Sequence, residues 1–293
     1  MRVFVTGADG QLGYEMVREL TRRGHEAIGS DRTAGLPLDI TDRAAVHRVL
    51  GDVRPDAVIH CAAWTAVDAA EEPENREKAH AVNALGTRYI AEACAALGCK
   101  LLYISTDYVF SGQGEAPWTP DCTDFGPLSV YGQSKLEGEQ AVRALVPRRY
   151  IVRIAWAFGP HGANFVRTML RLAESCDTLR VVCDQIGTPT YMPDLSRLLA
   201  DMIKTDRYGV YHATNEGGYI SWYDFACEIF RQAGKNVRVI PVTTAEYGQS
   251  RAARPMNSRL DKEKLSQNGF APLPDWRDAL GRYLNELQRM EQP

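Results

Sequence analysis

Tyr131 and Lys135 stand four residues apart in Ser129-Val130-Tyr131-Gly132-Gln133-Ser134-Lys135. The segment follows Pro127, and Leu136, Ala141, Val142 and Leu145 recur at helical spacing, so the two side chains share one helix face. A free phenol has a pKa of about 10, too high for ready proton exchange near neutrality. An ammonium beside it favours the phenolate and lowers that value. The pair can therefore act as a proton donor with a cation at its side. Taken alone, the spacing fits equally a tyrosine and a lysine that merely share a surface, so the rest of the chain has to supply a cofactor and a substrate.

The cofactor is suggested by Thr6-Gly7-Ala8-Asp9-Gly10-Gln11-Leu12-Gly13, placed directly after the first strand and opening the first helix. Gly7 permits the tight turn, Gly10 lets a diphosphate approach the helix N-terminus, and Gly13 allows close helix-on-strand packing. Asp31, just past the second strand, is placed to accept hydrogen bonds from an adenosine ribose, while Arg32 would attract a 2′-phosphate, so NADH is usable and NADPH acceptable. Asp39 and the backbone of Ile40 can reach an adenine edge, although capping of the next helix by Thr41 or Asp42 explains the same polar residues. The third strand ends in Cys61-Ala62-Ala63-Trp64-Thr65, whose small residues either admit a dinucleotide or simply pack tightly. Asn83 is a polar anchor for the site or a solvated residue. The fourth strand delivers Ser105-Thr106-Asp107-Tyr108, where a hydroxyl can hold a substrate carbonyl for the phenol.

These residues need a scaffold, and the hydropathy pattern describes one. Strand-like runs at Val3–Val5, Ala27–Ile28, Ala57–His60, Leu101–Ser105 and Tyr150–Ile154 alternate with helix-like runs at Gln11–Arg23, Asp42–Leu50, Glu74–Leu97 and Ser129–Leu145. That rhythm predicts a Rossmann-type, doubly wound parallel α/β sheet covered on both faces. Beyond Ile154 it loosens. Helices are expected at Asn164–Ala173, Asp194–Ile203, Ser221–Ala233 and Asp275–Leu287, and short strands at Arg180–Val182, Val210–His212 and Val237–Val239. The expected division is a dinucleotide-binding domain over 1–155 and a smaller C-terminal substrate lobe over 156–293, with some chain crossing back to the first domain.

Composition excludes several classes. A chain of 293 residues, 45% hydrophobic, can bury a large core, and a net charge of −3 with scattered basic residues gives no footprint for nucleic acid. No apolar run reaches the roughly 18 residues of a membrane span, so a cytoplasmic protein is expected. Seven cysteines without CxxC spacing argue against a disulfide framework or a zinc site, and no histidine pairing suggests a metal. In the second lobe, Arg251, Arg254 and Arg259 fall within nine residues of a slightly acidic chain. Arg254 is expected at a substrate diphosphate, the alternative being a solvated basic loop.

Together the TGxxGxxG loop, the hydroxyl after the fourth strand and YxxxK resemble an extended short-chain dehydrogenase/reductase. Thr65-Ala66-Val67-Asp68-Ala69-Ala70-Glu71, Ser105-Thr106-Asp107-Tyr108-Val109-Phe110, Asp184-Gln185-Ile186-Gly187-Thr188-Pro189-Thr190 and Arg254-Pro255-Met256-Asn257-Ser258 narrow the resemblance to the dTDP-4-dehydrorhamnose reductase family over nearly the whole chain. That resemblance implies reduction of dTDP-4-dehydro-L-rhamnose by NADH or NADPH, with Thr106, Tyr131 and Lys135 as a catalytic triad. It places Thr106, Asp107, Tyr108 and Trp156 at the sugar. It places Gly10, Gln11, Leu12, Asp39, Ile40, Ala63, Trp64, Thr65, Tyr103, Tyr131 and Lys135 at the cofactor. Some members dimerise around magnesium through glutamates; Glu15 matches one such position, but Thr190-Tyr191-Met192-Pro193-Asp194 supplies no second glutamate, so no metal is expected and a homodimer stays open. The rival readings are another nucleotide-sugar reductase, epimerase or dehydratase, and a dinucleotide-binding regulatory subunit of the methionine adenosyltransferase type.

Overall fold

The computed structural model describes residues 1–33, 35–248 and 250–291. Its centre is a six-stranded parallel sheet. Strands β1 (Arg2–Thr6), β2 (Glu26–Ser30), β3 (Ala57–His60), β4 (Lys100–Thr106) and β5 (Arg149–Ile154) lie in the order β2-β1-β3-β4-β5, and Gly209–His212 completes the edge beside β5. The apolar runs Val3-Phe4-Val5, Ala57-Val58-Ile59 and Tyr150-Ile151-Val152 are buried on both faces, as strands covered by helices on each side must be. The chain leaves β1 for β2 on one side and reaches β3 on the other. This reversal opens a crevice at the carboxyl ends of β1 and β3.

Helices α1 (Gln11–Arg22) and α7 (Met192–Met202) cover one face through Leu12, Met16, Leu20, Leu195 and Leu199. The other face holds α2 (Arg43–Val53), α4 (Thr87–Leu97) and α5 (Val130–Leu145), with Leu50, Ile90, Cys94 and Val142 in its core. Asp42 caps α2 by accepting from Ala45 N at 3.0 Å, and Ser129 caps α5 by accepting from Gly132 N at 3.1 Å. A second core around Phe158, Phe225, Trp276 and Tyr283 unites α6 (Phe165–Leu172), α8 (Trp222–Ala233) and the C-terminal helix Trp276–Glu291. Among the described residues no helix is long and apolar enough to cross a membrane.

The strand expected at 210–212 lies where the chain crosses back: it pairs in parallel with Tyr150–Arg153 of the main sheet, after α7 has covered that sheet's open face. One expectation needs correction. The run Glu74–Leu97 is not one regular helix: α3 (Pro73–His80) and α4 are joined by a π-helical stretch, Ala81–Gly86. The widened turn leaves Asn83 fully buried and hydrogen-bonded to the loop after β3, a use for which such turns are common at functional sites.

Within the layer between sheet and helices lies a fully buried ion pair. Arg153 of β5 donates from Nε and Nη2 to the two carboxylate oxygens of Glu139 on α5, each at 2.8 Å. The guanidinium sits 4.8 Å from the Phe110 ring centroid and reaches His212 Nε2 at 3.3 Å and Pro120 O at 3.3 Å. One pair thus ties α5, β5, the edge strand and the loop before α5. Glu139→Ala or Arg153→Ala strands a buried charge and should cost about 3–5 kcal/mol, whereas Glu139→Leu with Arg153→Met should recover most of that loss. Denaturant unfolding of the three variants checks this.

Candidate active site

The site begins where β1 runs into α1. Gly7 has a φ of +66°, and a Cβ there would lie 2.6 Å from Ala62 N; a Cβ on Gly13 would lie 1.9 Å from Gly7 O. Only glycine fits at these two positions, and the bare backbone leaves α1 with its N-terminus facing the crevice. Asp31 Oδ2 accepts from Asp9 N at 3.3 Å, which ties the end of β2 to this loop, and the exposed Arg32 follows it. Asp39 accepts from Thr41 N and Oγ1 at 2.9 and 2.7 Å, so its carboxylate shapes the turn ahead of Asp42 as well as bordering the crevice.

Behind the crevice runs an ordered chain of buried hydrogen bonds. Thr87 Oγ1 donates to Asn83 O at 2.7 Å, so the His60 Nε2 that meets Thr87 at 3.0 Å is the protonated nitrogen, and Nδ1 accepts from Thr6 Oγ1 at 2.7 Å. Burial, with the Lys135 charge nearby, pulls the imidazole down to about 3, so it is neutral. Thr6 Oγ1 also takes Ala62 N at 3.2 Å. Asn83 Oδ1 accepts from Trp64 N at 2.8 Å while Nδ2 donates to Trp64 O and Ser134 Oγ, and Ser134 in turn donates to Tyr131 O at 2.9 Å. Asn83 is therefore a structural clamp between the loop after β3 and the first turn of α5.

At the other end, Thr106 closes β4 and Tyr131 comes from α5, with the Tyr108 ring edge-on to Tyr131 at 5.4 Å. The Thr106 hydroxyl donates to Asp107 Oδ1 at 2.9 Å. Burial pushes the Tyr131 phenol above its ordinary value, and the Thr106 hydroxyl partly offsets this. The expected influence of Lys135 on that phenol is absent from this geometry. Lys135 Nζ instead donates to Ile104 O at 2.7 Å and lies 4.1 Å from the Tyr103 ring centroid. Burial draws the ammonium down to about 7, with Glu139 and Cys61 opposing. The two residues do share a helix face, but Lys135 is aimed at the end of β4.

Tyr103, expected at the cofactor, is fully buried and does not border the cavity. It lies on the sheet face under α5, stacks with His60 at 5.7 Å and donates to Lys135 O at 3.2 Å, so it acts on Lys135. Arg254 also stays outside the cavity wall: it donates to Asp68 Oδ2 at 2.6 Å and to Tyr108 Oη at 3.0 Å, held as part of a clasp between the lobes. Trp156 does line the cavity. Its φ of 51° is a left-handed conformation, a strain on the order of 1–3 kcal/mol, retained where its ring stacks on Trp222 at 3.7 Å and against Gly187, whose absent side chain makes room.

One continuous cavity of about 840 Å³ joins these parts. Its wall carries Gly7, Gly10, Gln11, Leu12, Gly13, Asp31, Arg32, Asp39, Ile40, Ala62, Ala63, Trp64 and Thr65. Thr106, Asp107, Tyr108, Tyr131, Lys135 and Trp156 complete it. Cys61, Ile104, Met192 and Gly162-Ala163 also border it; they carry no polar spacing signal, and Met192 and Gly162 reach it only because the second half of the chain folds back. The glycines, the facing helix N-terminus and the buried Gln11 Oε1, which has no partner among the described residues, fit a dinucleotide diphosphate and its ribose.

A parallel sheet with a glycine-rich loop at its switch point, a Thr at the end of β4 and a Tyr and Lys on α5 defines an extended short-chain dehydrogenase/reductase. The chain belongs to the family described as the RmlD substrate binding domain, whose model matches residues 1–289. It is 45% identical over 287 residues to the dTDP-4-dehydrorhamnose reductase of Streptomyces griseus, covering 95% of this chain and 91% of that one. Among solved structures, the dTDP-4-dehydrorhamnose reductase of Clostridium acetobutylicum superposes with a TM-score of 0.93 at 42% identity, covering 98% of this chain and 100% of that one. The Bacillus anthracis enzyme of the same name, in complex with NADP, gives 0.91 at 42% identity over 97% and 99% of the two chains.

The Lys135 environment has a consequence for stability. Its folded value, about 7, lies below the ordinary 10.5, so between these values the unfolded chain binds more protons and stability rises with pH. Cys61, pushed up to about 12, acts in the opposite sense above its ordinary 9.0. Between about pH 7 and 9 the cofactor-free protein should therefore gain less stability as Lys135→Met than as wild type. Denaturant midpoints at the two pH values measure the difference.

Proposed function

We propose that this protein reduces dTDP-4-dehydro-L-rhamnose to dTDP-L-rhamnose with NADH or NADPH. What supports the reading is one continuous cavity bordered both by the glycine-rich loop and by Thr106 and Tyr131. The family and the names of its similar members supply the sugar nucleotide.

When bound, the reduced nicotinamide supplies hydride to the C4 carbonyl carbon. Tyr131 gives its phenolic proton to the carbonyl oxygen as charge develops there, and Thr106 orients that oxygen. Lys135, released from Ile104 O, would hold the nicotinamide ribose and bring its charge toward the phenol. Gly7, Gly10 and Gly13 keep the backbone open to the diphosphate, Asp31 takes the adenosine ribose hydroxyls, and Arg32 accommodates a 2′-phosphate. Asp107, Tyr108 and Trp156 face the sugar. Arg254 meets the substrate diphosphate by exchanging Asp68 for it.

Mixed with NADH and dTDP-4-dehydro-L-rhamnose, the protein should consume nicotinamide absorbance and form dTDP-L-rhamnose; an inert protein that still binds NADH would refute the assignment. Tyr131→Phe should lose roughly 10²–10⁴-fold in kcat while binding cofactor normally. Arg254→Ala should raise KM about 10- to 100-fold, the scale of a charge-assisted hydrogen bond, with cofactor affinity unchanged by titration. Asp31→Ala should weaken NADH more than NADPH; equal losses would remove Asp31 from the ribose.

A further inference from the structure

The loop ahead of α6, Pro160-His161-Gly162-Ala163, reaches back across the sequence to the glycine-rich loop. His161 Nε2 meets Asp9 O at 2.8 Å, and because a carbonyl oxygen only accepts, Nε2 is the protonated nitrogen. The imidazole is stacked on the Tyr14 ring of α1, with centroids 4.5 Å apart and planes 7° from parallel. Two residues on, Ala163 O accepts from Gln11 Nε2 at 2.9 Å. Gly162 lies between them with a φ of +76°, and a Cβ there would come within 2.9 Å of Gln11 Cγ. The loop is anchored at its base, where Arg167 Nη2 donates to Pro160 O at 2.6 Å and Asn164 Nδ2 donates to Gly159 O at 2.9 Å.

These contacts fall on one peptide group. A trans peptide points its C=O and its N–H in opposite directions. In the Asp9–Gly10 peptide the oxygen is held by His161, and the Gly10 N–H donates to Gly7 O at 3.0 Å. Turning that plane over would set the Asp9 oxygen against Gly7 O and open the turn that Gly7 makes. The next amides, Gln11 N and Leu12 N, begin α1 and have no carbonyl one turn back within the helix, so they remain for an anion. The Asp9–Gly10 plane sets the direction in which they leave the turn. The same loop orients the Gln11 side chain: with Nε2 given to Ala163, the oxygen Oε1 is the acceptor left at the cavity. Resting on the reading of this cavity as an NAD(P)H site, we propose that His161 is a positioning residue for the cofactor diphosphate, acting through the Asp9 carbonyl. Asp31 holds the N–H of Asp9 and His161 holds its C=O, so the glycine-rich loop is tied both to the end of β2 and to the second half of the chain. His161 thereby acts on the part common to NADH and NADPH, whereas Asp31 and Arg32 act at the ribose that distinguishes them.

The test is ligand binding to the whole protein, with NADH and NADPH titrated directly and ADP and adenosine used to displace NADH. His161→Phe keeps a ring on Tyr14 and removes the donor. Its dissociation constants for NADH, NADPH and ADP should each rise about 3- to 10-fold, the scale of one neutral hydrogen bond, while adenosine, which carries no diphosphate, should bind as it does to wild type. His161→Gln, which keeps a donor, should recover most of the loss. A His161→Phe protein that binds NADH as tightly as wild type would overturn the proposal. So would an equal loss for adenosine, the mark of a merely structural role, or a loss confined to NADPH, which would put His161 at the 2′-phosphate. A wild type that binds neither nicotinamide would overturn it together with the cofactor site. The expected losses in a protein inert toward dTDP-4-dehydro-L-rhamnose would support it while refuting the reductase reading.

Discussion

The buried pair between Glu139 and Arg153 is the constraint on which the geometry of the site depends. Glu139 lies one turn beyond Lys135 on α5, and Lys135 lies one turn beyond Tyr131, so fixing Glu139 fixes the rotation of the helix that presents the other two. Arg153 comes from β5, the strand next to the one that ends in Thr106. Helix face and strand end are thereby set against each other by two 2.8 Å hydrogen bonds in a place that water does not reach. An apolar contact there would allow α5 to rotate or slide at little cost, whereas a forked ion pair has one good geometry.

Burial has opposite effects on the two groups this helix presents. The Tyr131 phenol is held in its protonated form, ready to donate but reluctant to remain ionised, while the Lys135 ammonium is weakened toward neutrality. The Lys135 ammonium donates to the Ile104 carbonyl over the face of the Tyr103 ring, and its charge is not directed at the phenol. Tyr103 supports Lys135 from inside the core, by its ring and its hydroxyl.

The two lobes share the apolar layer beneath α7, and beside the cavity they also meet through polar contacts. Asp68 accepts the backbone N–H groups of Arg251 and Ala252 at 3.1 and 3.0 Å as well as the Arg254 guanidinium, and Arg251 reaches Glu72. On the cavity wall, the Trp156 ring is trapped between Trp222 and Gly187. Such contacts are more easily exchanged for a ligand than an apolar core would be, since an anion can replace a carboxylate at a guanidinium without opening a void.

Alternation of apolar strands with amphipathic helices was sufficient to establish the parallel sheet, because a strand buried on both faces must be apolar at consecutive positions. The glycine-rich loop was legible for a similar reason: at Gly7 and Gly13 no side chain fits, so the requirement is written in residue type. Thr106, Tyr131 and Lys135 could be placed at strand and helix ends from local pattern alone. Pairings over long sequence separations could not be read in this way. The Glu139–Arg153 ion pair, the Arg254–Asp68 clasp, the stacking of Trp222 on Trp156 and the return of Gly209–His212 to the main sheet all depend on packing between segments whose local patterns are ordinary. Side-chain direction belongs to the same category. Spacing put Tyr131 and Lys135 on one face, but the carbonyl of Ile104 decided where the ammonium points, and burial decided the protonation each group prefers.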